Sequence, residues 1–342
     1  MSDLIVRIDG VAGRITLNRP KALNALTWDM VLGIEAALDA WRDDDAVQIV
    51  VIDAAGDKAF CSGGDIAEMY ATGKAGDFTY GQRFWRDEYR LNRKIFHYAK
   101  PVVSFLQGFT MGGGVGVGCH GSHRIVGETS QIAMPEVTIG LVPDVGGSLI
   151  LATAPGHIGE YLGLTGTRMD AADAIYAGFA DVYVPEDQWD VLKVQLCETG
   201  DVAKIADIAQ ALPTGALQKA QSVIDGVFGQ DDVFTAASSS TDDVILAATK
   251  KMDRNAPLAL QVTLRMIRAV RDAPTIETAL DHEFRYTFRS AQYGDFIEGI
   301  RAAIIDRDRA PVWQHSNVTS VPAADIARMT APLGDNALIW ED

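Results

Sequence analysis

Two carboxylates stand out along the chain by their setting: Glu136 directly after Pro135, and Asp144 directly after Pro143. Both follow a glycine-rich run of Gly112, Gly113, Gly114, Gly116 and Gly118, in which glycine alternates with Val115 and Val117. Without Cβ atoms, such a run lets backbone amides approach a ligand, and a helix starting there turns its positive dipole end toward it. Amide donors followed by two placed carboxylates are a kit for stabilising an oxyanion and for attacking, or hydrating, the carbon beside it. The spacing of eight between the acids includes Gly140 and Pro143, so they are expected to meet across a loop rather than along one helix.

Two other patterns compete for the same stretch. Gly116 to Gly121 fits GxGxxG, and Glu136 lies 20 residues beyond Gly116, which mimics a dinucleotide fingerprint. The next strand, however, is expected from His123, which leaves too little chain for the crossover helix of a βαβ unit. Cys119, His120 and His123 contain metal-ligating types, but they are crowded together without a distant partner motif, so no metal is expected.

These groups need elements to hold them. Residues 102–106, a β-branched and apolar run after Pro101, read as a buried strand, and residues 123–126 as a second. Upstream, residues 4–8 and 14–17 read as strands around a turn at 10–13. Thr27 is placed to cap a helix running to about Trp41, with Met30, Ile34, Leu38 and Trp41 on one face. Residues 47–52 carry no charge and read as a strand buried on both faces. A small-residue turn follows at 56–65, then a helix starting at 66–70 and a longer helix over 81–99. Further on, 161–164 and 171–177 are expected as helices and 181–184 as a short strand. Beyond about residue 186 strand-like runs disappear. There, 257–271, 276–293 and 296–305 are expected as helices, 229–241 as a loop or insertion, and the stretch from Asn317 as a weakly patterned arm. The expected organisation is an α/β part over residues 1–190 and a mainly helical part over 191–342.

Composition narrows the function classes. A chain of 342 residues has ample room for a core, and 48% hydrophobic with 22% charged residues is ordinary for a globular protein. The net charge of −16 argues against nucleic acid and against anionic membrane surfaces, so an anionic ligand would need a local basic pocket. The odd cysteines, Cys61, Cys119 and Cys197, are expected as reduced thiols. Nothing at the N-terminus has signal-peptide design and no apolar run is long enough to span a bilayer, so a cytoplasmic enzyme or binding protein is expected.

Four motifs carry a resemblance. NRPKALNALT (18–27), GDKAFCSGGDI (56–66), KPVVSFLQGFTMGGGVG (100–116) and AMPEVTIGLVPDVGGS (133–148) occur in the order and spacing of the enoyl-CoA hydratase/isomerase, or crotonase, superfamily. FWRDEYRLN (84–92) and DFIEGIRAAIIDRDRAPVW (295–313) extend the likeness over most of the chain, toward the branch that hydrolyses 3-hydroxyisobutyryl-CoA. The resemblance implies an α/β fold, a crotonase-like spiral of ββα turns with a helical C-terminal region. It implies that the amides of Ser62 and Gly113 grip a thioester oxygen, with Gly63, Gly64, Asp65, Ile66 and Gly112 beside the substrate. By the same likeness Glu88 is a substrate contact; as a bare residue it would be a solvated helix position. Lys21, Ala22, Lys58 and Ala59 are the candidates for holding coenzyme A, which enters as part of the substrate, with no other cofactor expected. A homo-oligomer is compatible with this picture.

Departures from the family pattern select the reaction. Hydratases of this superfamily resemble one another in using two glutamates, the first three residues after the oxyanion glycine. Here that position is Gly116. The second matches Glu136, and Asp144 stands where hydratases usually carry glycine. The pattern therefore implies a thioester hydrolase acting on a short branched β-hydroxyacyl-CoA from valine breakdown, with Glu136 as nucleophile or base and Asp144 orienting the hydroxyl or a water. The alternatives are a hydratase or isomerase of the same superfamily, and a non-catalytic CoA-binding protein.

Overall fold

The computed structural model describes residues 2–340; Met1, Glu341 and Asp342, at the outer ends of the two expected regions, lie outside them. Strands β1 (Leu4–Asp9) and β2 (Ala12–Leu17) form the expected hairpin, with Gly10 in the left-handed region at the turn. Then follow β3 (Ile49–Ala54), β4 (Ala59–Cys61), β5 (Val102–Phe105), β6 (Phe109–Met111), β7 (His123–Val126), β8 (Gln131–Ala133) and β9 (Val182–Tyr183). Helices α1 (Trp28–Arg42), α2 (Ala67–Lys74), α3 (Thr79–Phe96), α4 (Gly113–Gly118), α5 (Gly147–Thr153), α6 (Ile158–Thr165) and α7 (Ala171–Tyr176) alternate with them. The rest is helical: α8 (Trp189–Thr199), α9 (Ala203–Ile208), α10 (Ala216–Phe228), α11 (Val233–Ser238), α12 (Asp243–Met252), α13 (Pro257–Asp272), α14 (Ile276–Tyr293), α15 (Phe296–Ile300) and α16 (Ala323–Thr330).

From β3 onward, successive strands alternate between two sheets. One sheet has the order β1-β2-β3-β5-β7-β9, parallel except for the first pair, and the other has the parallel order β4-β6-β8. The steps β3–β4, β5–β6 and β7–β8 each cross from the large sheet to the small one, which is the turn of a ββα spiral. Strand β3 sits between β2 and β5, and its uncharged part, Ile49 to Ile52, is wholly buried, as its composition predicts. Asp53, at its end, pairs with Arg14 (2.6 Å) and accepts from the Thr16 hydroxyl (2.6 Å).

The chain divides into two compact, discontinuous units that do not meet at residue 190. The first comprises residues 1–64, 87–133 and 168–215, and holds both sheets. Helices α8 and α9 belong to it because Trp189, Leu192, Leu196 and Ile205 cover Ile49, Val51, Val103 and Phe105 of the large sheet. The second comprises residues 65–86, 134–167 and 216–342. Strand patterning does end near residue 186, but α8 and α9 remain part of the sheet unit, so secondary-structure type and packing unit change at different places.

Two further expectations are corrected in the second unit. Residues 229–241 are not a plain loop: Asp232 accepts from the Thr235 amide and caps α11, so the polar, small residues there are capping chemistry. The stretch from Asn317 is not a loose arm: Ile326 and Met329 of α16 are buried, and Arg289 and Arg86 donate to the carbonyls of Ala331, Pro332, Asn336 and Ala337. The helix expected over 296–305 splits into α15 and a π-helical turn, Arg301–Ile305. Gly299 lies so close to the Ile139 carbonyl that a Cβ would meet its oxygen at 2.1 Å, which is why that motif carries glycine there.

Candidate active site

In the first unit the glycine run follows β6 directly. Gly112 adopts φ 50°, ψ −120°, a conformation open to glycine and strained for other residues, and α4 starts at Gly113. The helix lies against the 61–64 turn: a Cβ on Gly114 would meet the Cys61 carbonyl oxygen at 2.4 Å. A Cβ on Gly113 would stand 2.7 Å from Glu88 Oε1, 3.2 Å from Leu26 Cδ1 and 3.3 Å from the Gly64 nitrogen. Gly113, Gly64 and Glu88 are therefore neighbours. Glu88 is 2% exposed, which overturns its reading as a solvated helix residue. Its motif neighbours on α3 are structural: Asp87 accepts from the Trp28 indole (2.7 Å), and Arg90 pairs with Glu35 of α1 (2.5 Å).

The Ser62 amide is corrected. It donates to the Leu23 carbonyl (3.0 Å) and is not available to a ligand. Leu26 N in turn donates to Gly63 O (2.9 Å), so the 62–64 turn is zipped to the 23–26 loop on both sides of Gly64. Leu23 and Asn24 hold left-handed backbone there, and Asn24 is locked by its side chain. Its Oδ1 accepts from Arg19 N (2.8 Å), and its Nδ2 donates to the carbonyls of Ala55 (3.0 Å) and Ala59 (2.9 Å). This leaves the Gly64 amide, next to Gly113, as the donor to pair with the Gly113 amide. Cys61 beside it is inert, because burial pushes its thiol up to about 12. The same Asn24 ties together the loops of Lys21 with Ala22 and Lys58 with Ala59; both lysines are exposed, and among the described residues neither has an ion-pair partner.

In the second unit Glu136 opens a short 3-10 turn, Glu136–Ile139, and is buried; Asp144 is buried as well. They stand at two points of one connection. Its backbone closes on itself where Leu141 N donates to Glu136 O (3.0 Å) and Gly147 N to Asp144 O (2.7 Å). The elements that hold it come from the C-terminal helices. The Tyr286 hydroxyl of α14 donates to Gly140 O (3.1 Å), and Ala256 N to Val137 O (3.0 Å). Glu283, one turn before Tyr286 and fully buried, accepts from Gly146 N (2.8 Å), Ser148 N (3.0 Å) and Ser148 Oγ (2.5 Å). Burial pushes its carboxyl up to about 8 against the pull of those donors, and the neighbouring Asp144 charge adds to the rise. Glu283 was not singled out from sequence. The available signal was one acid inside the otherwise apolar stripe Ile276, Ala279, Leu280, Phe284 of an amphipathic helix. Asp65 is half-buried, and Ile66 stands at the N-cap of α2 in this unit.

Two groups thus emerge: amides of Gly64 and Gly113 beside Glu88, and a braced loop with two buried carboxylates. The first can hold a developing oxyanion; the second can supply a nucleophile, a base or a hydroxyl acceptor. The dinucleotide pattern at Gly116 is absorbed by α4, which ends at Gly118 with β7 starting at His123, so no crossover helix follows it. The Cys119 thiol is pushed up to about 12 by burial. Among the described residues no helix is long and apolar enough to cross a membrane.

Comparison with known proteins shows what the chain is similar to. The family model described as enoyl-CoA hydratase/isomerase matches residues 12–330. The chain is 35% identical over 351 aligned positions to the mitochondrial 3-hydroxyisobutyryl-CoA hydrolase of Gallus gallus, covering 98% of this chain and 91% of that protein. It is 36% identical over 318 positions to the probable 3-hydroxyisobutyryl-CoA hydrolase 3 of Arabidopsis thaliana, covering 88% and 84%. Among solved structures it superposes on an enoyl-CoA hydratase from Rhodobacter sphaeroides with TM-score 0.95 at 51% identity, covering 99% and 100%. A carnitinyl-CoA dehydratase from Mycobacterium thermoresistibile gives TM-score 0.95 at 40% identity, covering 100% and 99%. The word mitochondrial in the name of the Gallus gallus relative is at odds with the cytoplasmic location expected from sequence.

Proposed function

The chain belongs to the enoyl-CoA hydratase/isomerase family, and on that premise we propose that it hydrolyses the thioester of a short branched β-hydroxyacyl-CoA, 3-hydroxyisobutyryl-CoA to 3-hydroxyisobutyrate and CoA, a step of valine catabolism. The observation that carries this reading is the pattern of acids. Glu136 and Asp144 are both buried on one braced loop, whereas buried Gly116 leaves α4 without the carboxylate that hydratases hold there.

In this mechanism the thioester oxygen accepts from the amides of Gly64 and Gly113, which stabilise the charge that builds on it when the carbonyl carbon is attacked. Glu136 attacks that carbon, forming a mixed anhydride that water opens, or takes a proton from a water that attacks directly. By either route water supplies the added oxygen and CoA leaves as the thiol. Asp144 accepts from the β-hydroxyl of the acyl group. Glu88 lines the acyl site beside Gly113, and Lys21 and Lys58 face the CoA phosphates in an otherwise acidic protein. Coenzyme A enters as part of the substrate, and the reaction needs no separate cofactor.

A thiol-release assay over a panel of acyl-CoAs tests the reading, with 3-hydroxyisobutyryl-CoA expected to be the best substrate. A second reading, hydration or isomerisation of an enoyl-CoA, draws on the likeness to the enoyl-CoA hydratase from Rhodobacter sphaeroides. Hydration of crotonyl-CoA without thiol release would favour it. Tight CoA binding without turnover of either substrate would favour a binding protein.

A further inference from the structure

The backbone that carries Asp144 is strained. Val145 holds φ 56°, in the left-handed region where a β-branched residue is an outlier, and Gly146 follows at φ 77°. A turn of this kind persists only where its surroundings over-determine it. One buried side chain is prominent among those surroundings. Both Glu283 oxygens are spent on the segment after Val145: Oε2 accepts from Gly146 N, and Oε1 accepts from Ser148 N and Ser148 Oγ. Glu283 and Ser148 are both fully buried, so water cannot replace these bonds. The loop is also pinned across its base by Gly147 N donating to Asp144 O (2.7 Å).

We propose that Glu283 is a positioning residue that locks the left-handed Val145–Gly146 turn, and through it sets the aim of the Asp144 carboxylate at the substrate hydroxyl. The proposal rests on the hydrolase reading for the role of Asp144, while the clamp itself stands on the hydrogen bonds. No other residue type fits the place well. A glutamine offers one acceptor oxygen and one NH2 group, whereas an acid, protonated or not, keeps a lone pair on each oxygen, so with glutamine one backbone N–H of the loop must face a donor. A shorter aspartate cannot reach both amides from α14. The burial that lifts the Glu283 carboxyl to about 8 is the cost of placing an acid here, next to Asp144, and a packing role alone would be met by an apolar side chain.

The experiment compares three variants with wild type on 3-hydroxyisobutyryl-CoA and on isobutyryl-CoA, which lacks the hydroxyl. Glu283→Gln removes one backbone anchor. Ser148→Ala removes only the hydroxyl bond and keeps the fold safe. Glu160→Gln is the stability control, since Glu160 is an equally buried acid of the same unit, paired with Arg271 away from the Asp144 loop. A reacting group misplaced by about 1 Å costs on the order of 100-fold. Glu283→Gln is therefore expected to lower kcat/KM by roughly 100-fold on the hydroxyl substrate and by about 10-fold or less on isobutyryl-CoA. Ser148→Ala should shift the ratio of the two substrates in the same direction, but less, and Glu160→Gln should lower Tm without changing that ratio. Hydrogen exchange at the Gly146 and Ser148 amides reads the clamp independently of activity, and should speed up in Glu283→Gln more than at core amides. An unchanged substrate ratio in both Glu283→Gln and Ser148→Ala, with a hydrolysing wild type, overturns the proposal. Should Glu283→Gln not fold, Ser148→Ala and its substrate ratio decide alone. A wild type that releases no thiol, yet shows the exchange change, sinks the hydrolase reading and leaves the clamp standing.

Discussion

Replacing Gly113 by alanine separates catalysis from folding, and the structure gives the reason in ångströms. The added Cβ would stand 2.7 Å from Glu88 Oε1, 3.2 Å from Leu26 Cδ1 and 3.3 Å from the Gly64 nitrogen, where ordinary contact begins near ~3.5 Å. The Glu88 carboxylate can swing and Leu26 can give, but Gly64 N is backbone held between Ser62 N→Leu23 O and Leu26 N→Gly63 O. The methyl group therefore intrudes between the two proposed oxyanion donors. Overpacking of this size costs about 1–3 kcal/mol. It is partly offset by the ~0.5–1 kcal/mol that alanine gains over glycine within a helix. The net effect on stability is on the order of 1–2 kcal/mol, and a shift in Tm of a few degrees is expected. Displacing one donor from an oxyanion hole costs about 100–1,000-fold in kcat. The assay is thiol release under saturating acyl-CoA, with Tm measured on the same preparation. A folded Gly113→Ala protein with wild-type kcat would refute the placement of the thioester oxygen between Gly64 and Gly113.

Other outcomes follow from the same geometry. Glu136→Gln should keep CoA affinity and lose roughly 100–10,000-fold in turnover, as measured by single-turnover kinetics alongside CoA titration; an active variant would remove Glu136 from the chemistry. Asp144→Gly should lower kcat/KM on 3-hydroxyisobutyryl-CoA far more than on isobutyryl-CoA, and should not create crotonyl-CoA hydration, because Gly116 still supplies no acid; equal losses would put Asp144 on the thioester instead of the hydroxyl. Ser62→Ala should stay close to wild type in kcat, since it removes only the hydroxyl and leaves the backbone amide bonded to Leu23 O; a large loss would show that the Ser62 hydroxyl itself contacts the substrate. Glu283 gives a pH signature. Its carboxyl is raised from about 4.3 in the unfolded chain to about 8 in the fold. The folded state thus binds the extra proton between those values, and stability should fall as pH rises through that window and level off above it. Urea midpoints across the window should be flatter in Glu283→Gln than in wild type, and identical slopes would show that Glu283 folds as an anion.

Much of the architecture could be read from local patterns. The hairpin at the start, Thr27 as the α1 cap and the buried apolar run of β3 each follow from a single physical preference, and each is present. Positions decided by long-range partners were harder. Ser62 and Gly64 are both small residues in one turn, and only Leu23 O, brought in by the Asn24 loop, shows which amide is spent. Glu88 looked like a surface acid because its neighbours Arg86, Asp87 and Arg90 are charged, yet those residues make ion pairs or cap distant carbonyls while Glu88 turns inward. Glu283 was hidden for the opposite reason: an acid 135 residues after Ser148 gives no local sign that it braces that loop. The unit boundary was misplaced because α8 and α9 look like the helices after them, and only packing on the large sheet assigns them to the first unit.

The most direct test of the central claim is a two-channel assay on the wild-type protein. Thiol release is followed with 3-hydroxyisobutyryl-CoA, and loss of the enoyl absorbance with crotonyl-CoA, at the same protein concentration. Two buried acids on one loop and glycine at position 116 predict rapid release of free CoA in the first channel and no hydration in the second. Hydration of crotonyl-CoA with no thiol released from the hydroxyacyl thioester would contradict the account.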